Sequence, residues 1–127
     1  MSFFEEIEYK IIPNEKGDIY KIATSKNCPK FTKGDFYFSE VKPKIIKTWR
    51  RHTILNCIIG VVSGEIEIKL KSEVKNKSIT KNLFLKKSKM IKIKPGTWYC
   101  FENKKKIPCM LFVILDGEHN DNEVERL

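Results

Sequence analysis

Arginine is scarce in this chain, and where it occurs is the first pointer to chemistry. Only three of the 25 basic residues are arginine, and two of them are adjacent in Lys47-Thr-Trp-Arg-Arg-His52, beside one of only two histidines. A chain otherwise built on lysine has reason to use arginine where a planar, bidentate donor must meet a phosphate, carboxylate or enolate oxygen. On a strand, the two-residue period sets Arg50 and His52 on one face, with Trp49 and Arg51 on the other. A surface strand end with incidental charges would carry the same residues. A second segment, Ile93-Lys-Pro-Gly-Thr-Trp-Tyr-Cys-Phe-Glu-Asn103, sets a Pro-Gly turn ahead of Thr97, Tyr99 and Phe101, which then share a face. Taken alone, those aromatics read as core.

Short strands must position these residues. Gly64-Glu-Ile-Glu-Ile-Lys-Leu-Lys71 alternates strictly, with Ile66, Ile68 and Leu70 on one side and charges on the other, and Lys89–Lys94 repeats the pattern with Ile91 and Ile93. Further strands are predicted over Asp18–Ala23, Asp35–Val41, Lys44–Trp49, Ile54–Val62, Ile79–Leu85, Thr97–Glu102 and Cys109–Leu115. Turn residues separate them, as in Pro13–Gly17, Lys33-Gly34-Asp35, Ser63-Gly64 and Lys94-Pro95-Gly96. No segment sustains a helical period. Many short strands at regular spacing predict an all-β sandwich or barrel. At 127 residues the chain is expected to form one domain (1–127), with residues 116–127 a loose acidic tail.

Composition narrows the function classes. The formal charge of +9 would suit a nucleic-acid surface, but the lysines alternate with apolar residues along almost every segment, as solvated strand faces do. An anionic small molecule remains compatible with that charge. Met1–Lys10 carries Glu5, Glu6 and Glu8 where a signal peptide needs positive charge, and the apolar run Ile54–Val62 is too short to span a bilayer. Cys28, Cys57, Cys100 and Cys109 are scattered without a CxxC pair, which reads as reduced, cytoplasmic usage. The expectation is a cytoplasmic protein with no nucleic-acid or membrane partner.

Together the two chemical segments are spaced like the paired cupin motifs. The first reads Arg50-x-His52-x4-Cys57-x6-Gly64 and the second Pro95-Gly96-x2-Tyr99-x3-Asn103. The glycine, proline and asparagine framework stands, while three of the four metal-ligand positions hold Arg50, Cys57 and Tyr99. One histidine does not make a catalytic metal site, so no metal and no cofactor are expected. A metal-free cupin of this pattern resembles the dTDP-4-dehydrorhamnose 3,5-epimerase superfamily, and within it a short branch found with surface-polysaccharide genes. The resemblance runs through Lys16-Gly17-Asp18-Ile19, Asp35–Ser39, Ile45–His52, Ile93–Trp98 and Glu118–Arg126.

That resemblance implies a cupin jelly roll (a double-stranded β-helix), a homodimer, and an isomerase or epimerase acting on a nucleotide-linked 4-keto sugar in surface polysaccharide or lipopolysaccharide biosynthesis. A ketone acidifies the neighbouring C–H bonds; a base takes the proton, a cation holds the enolate, and an acid returns a proton. An imidazole ordinarily titrates near pH ~6.5 and suits the base, whereas a guanidinium stays protonated. His52 is therefore the candidate base, Tyr99 a candidate acid, and His119 a rival base. Arg50, Lys47, Arg51, Trp98, Asn56 and Glu118 are the candidates for binding substrate. The resemblance also implies a base histidine where this chain has Arg50, an aspartate orienting it from a C-terminal region this chain is expected to lack, and an acid tyrosine where it offers Glu118 and His119. A non-catalytic cupin that binds sugar nucleotides is the alternative.

Overall fold

Alternation builds most of the molecule. The computed structural model describes residues 3–23, 34–118 and 120–127. Its strands are β1 (Phe4–Glu8), β2 (Lys10–Ile12), β3 (Ile19–Lys21), β4 (Phe36–Val41), β5 (Ile46–His52), β6 (Cys57–Ser63), β7 (Ile66–Val74), β8 (Lys77–Leu85), β9 (Lys89–Ile93), β10 (Trp98–Glu102), β11 (Cys109–Leu115) and β12 (Val124–Arg126). They form two five-stranded antiparallel sheets, ordered β1-β9-β6-β11-β4 and β12-β5-β10-β7-β8, plus the hairpin β2-β3. This is the jelly roll the motifs implied.

The apolar residues of each period-two strand meet between the sheets. Ile59, Val61, Ile91, Ile93, Leu111 and Val113 of the first sheet pack on Ile66, Ile68, Leu70, Tyr99 and Phe101 of the second. Both alternating strands, β7 and β9, line this interior as predicted. Strands β6 and β11 are apolar on both faces for a second reason. Their outward residues Ile58, Phe112 and Ile114 are covered by Tyr9 and by Ile11 and Tyr20 of the β2-β3 hairpin. Gly60 lies opposite Phe112, and the ring occupies the space a Cβ would need.

The second motif's framework is structural. Gly96 takes a φ of +86°, which glycine adopts without strain, and closes a turn in which the Thr97 N–H reaches the Lys94 carbonyl at 3.3 Å. The Gly96 N–H then donates to the His52 carbonyl at 2.7 Å, tying this turn to the end of β5. Asn103 is fully buried, its amide donating to the carbonyls of Val41 and Ile107 while its oxygen accepts from the Lys105 N–H.

Three departures from the expected elements bear on function. Strand β5 runs on to His52, and β6 begins only at Cys57, so residues 53–56 form a turn. Strands β1 and β2 arise in a segment whose glutamates and short length hide the alternation. Part of the stretch expected to be a loose tail is ordered against the second sheet. Asp121–Glu123 form a 3-10 turn, and β12 pairs with the end of β5, Val124 opposite His52 and Arg126 opposite Arg50. Among the described residues no helix is long and apolar enough to cross a membrane.

Candidate active site

Strand β5 carries a bulge that decides which cations face inward. Tyr99 of β10 lies opposite Arg50, but Phe101, two residues on, lies opposite Lys47, three residues back. The extra residue shifts the phase of β5. Strict alternation would put Lys47 on the outer face with Trp49 and Arg51. The bulge instead sets Lys47, Arg50 and His52 all on the face of Tyr99 and Phe101, inside the barrel. There the Lys47 ammonium donates to Ser39 Oγ of β4 at 2.9 Å, and burial followed by the Arg50 charge holds its pKa below the ordinary lysine value.

The four positions of the cupin metal set converge. His52 Nε2 lies 3.1 Å from the Tyr99 hydroxyl, Cys57 and Tyr99 lie near enough for each to act on the other's ionisation, and Arg50 is the register partner of Tyr99. Burial above all pushes the Cys57 thiol and the Tyr99 phenol well up from their ordinary values, so both keep their protons at neutral pH. No group of three His, Cys, Asp or Glu able to hold a metal occurs among the described residues. The donor set itself explains this: a guanidinium replaces one ligand, and a phenol and a thiol that resist ionisation replace two more.

Glu123 completes the cluster. Its Oε2 lies 2.8 Å from His52 Nδ1, while Oε1 accepts from the N–H groups of Ile54 and Leu55 at 3.1 and 3.0 Å. Its carbonyl accepts from both the N–H and the hydroxyl of Thr53. His52 is 5% and Glu123 6% exposed. Burial alone would raise the Glu123 pKa; the bonds from His52, Leu55 and Ile54 outweigh it and hold the carboxyl below its ordinary value. A carboxylate only accepts, so the neutral form of His52 carries its proton on Nδ1, and in that form Nε2 offers a lone pair to the Tyr99 O–H.

Glu123 thus supplies an orienting carboxylate from the C-terminal region, where none was expected. It serves His52 rather than the Arg50 position. One sequence signal pointed to it: Asn120-Asp-Asn-Glu123 has capping-box spacing, and Asn120 does cap the 3-10 turn through the Asn122 N–H. The glutamate reaches across to residues 52–55 instead of back to its cap. Tyr37 was also missed. It lies on the inward face of β4 opposite Val113, and burial first, then Cys57, raises its phenol pKa against the Arg50 charge.

Other expected binding residues lie elsewhere. Arg51 points outward, stacking on the Trp98 ring at 4.5 Å and pairing with Glu125 at 2.8 Å, so neither Arg51 nor Trp98 lines the interior. The alternation that places Tyr99 inside necessarily turns Trp98 out. Asn56 is committed to Asp116, which accepts from its backbone N–H and its side-chain amide. Glu118 is exposed beside Asn120 and Asp121 and is not joined to the His52 cluster. His119 lies outside the described residues.

Two sheets enclosing this polar cluster, on cupin motif spacing, define a jelly-roll cupin of the sugar-nucleotide epimerase-like type. The chain belongs to the family described as "FdtA: WxcM-like, C-terminal", whose model matches residues 4–126. It is similar in structure to a dTDP sugar isomerase from Desulfovibrio desulfuricans G20, with a TM-score of 0.87 at 26% identity over 98% of this chain and 83% of that one. It also resembles a mutant of the 3,4-ketoisomerase QdtA from Thermoanaerobacterium thermosaccharolyticum in complex with TDP-4-keto-6-deoxyglucose (TM-score 0.76, 17% identity, 100% and 89% covered). A third neighbour is the epimerase RmlC from Legionella pneumophila Philadelphia 1 in complex with dTDP-4-keto-L-rhamnose (TM-score 0.81, 13% identity, 100% and 73% covered). No curated protein matches the sequence.

Proposed function

We propose that this protein is an isomerase or epimerase of a nucleotide-linked 4-keto sugar, working by metal-free removal of a proton beside the ketone. The observation that carries this reading is the chain Glu123–His52–Tyr99, a buried carboxylate, imidazole and phenol in hydrogen-bond contact, set beside Arg50 and Lys47 on one strand face. The first three groups supply proton transfer, and the two cations supply charge for an enolate oxygen or a diphosphate. The family and the ligands named for its structural neighbours support a nucleotide-linked sugar. The place of the reaction is cytoplasmic surface-polysaccharide synthesis, in keeping with the free thiols Cys57, Cys100 and Cys109. Deuterium wash-in from solvent, followed across a panel of nucleotide-linked 4-keto sugars, tests the activity. Sugar-nucleotide binding through Arg50 with no exchange at any carbon would favour the non-catalytic reading.

The same proposal includes a homodimer built on β4. Among the described residues this strand is a sheet edge with no further strand paired to it, and its outward Phe36 and Phe38 are 55% and 61% exposed, packed edge to face. Sedimentation is expected to show a dimer that Phe38→Glu dissociates; a monomeric wild type at micromolar concentration refutes it.

A further inference from the structure

The basic atom of His52 is capped. Nδ1 is held by Glu123 and Nε2 by the Tyr99 hydroxyl. A substrate carbon cannot approach the Nε2 lone pair while the phenol occupies it. Tyr99, by contrast, stands where the site's other charged and titratable groups converge: Arg50 opposite it on β5, Cys57 on β6, and Tyr37 across the barrel on β4. Lys47 follows Arg50 along the same inner face.

We propose that Tyr99 is the residue that touches the reacting carbon, relaying its proton to His52, which Glu123 holds in position. The inference rests on the isomerase or epimerase reading above. In the step, the C–H bond beside the ketone breaks as its proton bonds to Tyr99 Oη. The original Oη–H bond breaks as that proton bonds to His52 Nε2. The C–H electron pair enters the new carbon–carbon double bond, and the carbonyl π pair moves onto oxygen, beside Arg50. The products are an enolate, a neutral tyrosine, and an imidazolium paired with the Glu123 carboxylate. Running the relay backwards returns a proton to carbon, and no co-reactant is consumed. Burial, reinforced by Cys57 and opposed by Arg50, disfavours a free Tyr99 phenolate, so the two transfers belong to one concerted event. Tyr99 is then the catalytic residue, and His52 and Glu123 act through it.

The test is solvent deuterium wash-in with TDP-4-keto-6-deoxyglucose and related 4-keto sugars. Tyr99→Phe and His52→Asn are each expected to lose roughly ~10²–10⁴-fold in exchange, with TDP affinity within a few-fold of wild type. The double variant is expected to be no slower than either single one, as for groups acting as a unit. Glu123→Gln removes the negative partner of the imidazolium. It is expected to lower kcat with KM unchanged and to move the acid limb of the pH–rate profile to lower pH, which a purely structural role would not do. Exchange by Tyr99→Phe at close to the wild-type rate, with His52→Asn inactive, means that the imidazole meets the carbon directly and overturns the relay. A wild type that exchanges none of the sugars refutes the enzyme reading instead. In that event ¹⁵N NMR of the histidine ring decides the hydrogen-bonded chain: Tyr99→Phe should shift the His52 Nε2 resonance, and an unmoved resonance overturns the proposal.

Discussion

Replacing Glu123 with alanine isolates what the C-terminal segment does for the fold. The carboxylate accepts three hydrogen bonds, from His52 Nδ1 at 2.8 Å, Leu55 N–H at 3.0 Å and Ile54 N–H at 3.1 Å. A hydrogen bond to a charged group contributes about 1.5–3 kcal/mol. The Ile54 and Leu55 amides lie in a turn that water can reach once the side chain is gone, so much of their share is recovered. The imidazole beneath them is not so easily resolvated. A loss of about 2–4 kcal/mol follows, or a fall of about 8–16 °C in Tm for a domain of this size. Glu125→Ala is the control. It removes a surface pair with Arg51 that is screened by solvent, and about 1 kcal/mol at most is expected. The pH dependence has a definite sign. The Glu123 carboxyl is held below its ordinary value of 4.5, so its stabilisation is complete above that pH in the native protein and fades as pH falls through the lower folded value. The gap between wild type and Glu123→Ala, followed by thermal and urea denaturation, should therefore narrow in acid as pH falls through that lower value. A Tm within about 2 °C of the Glu125→Ala control, or a gap that does not narrow in acid, refutes the reasoning.

Three further outcomes are expected. Gly60→Ala drives a methyl into the Phe112 ring and should cost about 1–3 kcal/mol in urea denaturation, partly recovered by adding Phe112→Leu; an unchanged midpoint would show that the ring moves freely. Arg50→Lys should weaken TDP binding by calorimetry and slow exchange as well, because the fork geometry is lost, whereas Arg51→Ala, on the outer face, should change neither. Metal analysis of purified protein should find no stoichiometric zinc, iron or manganese, and chelator should leave Tm unchanged; one tightly held equivalent would contradict the reading of Arg50, Cys57 and Tyr99 as replaced ligands.

What the sequence made legible follows from period two. Ile66, Ile68 and Leu70, and Ile91 and Ile93, alternate without interruption, and each lies where its strand predicts. Arg50, His52, Cys57 and Tyr99 could be brought together because motif spacing encodes one turn and one sheet pairing. Lys47, chosen as a substrate-binding candidate, reaches the inner face through the bulge, which offsets a phase that strict alternation would have assigned to the outer face. No residue type marks that bulge. Trp98 and Arg51 were chosen for their chemistry, yet the alternation that places Tyr99 and Arg50 inside turns them out to stack on one another. Glu123 was hidden for a different reason. Acidic residues crowd the stretch from Asp116 to Glu125, so composition reads as a solvated tail, and only long-range pairing with residues 52–55 singles out one carboxylate.

The sequence distances within the cluster also bear on how it comes to exist. His52 and Tyr99 are 47 residues apart, and His52 and Glu123 are 71 apart. Neither contact can form until the chain between has been closed into loops, an entropic toll that slows folding in proteins dominated by non-local pairing. Strand β12 contributes only three residues to its sheet and buries little beyond Val124, so it has almost no independent reason to dock before β5 and the 53–56 turn are in place. A collapsed sandwich can therefore exist with its apolar interior assembled and its imidazole still unaligned. In refolding, enzymatic competence would lag the recovery of β-structure, with docking of the last short strand setting the interval between them.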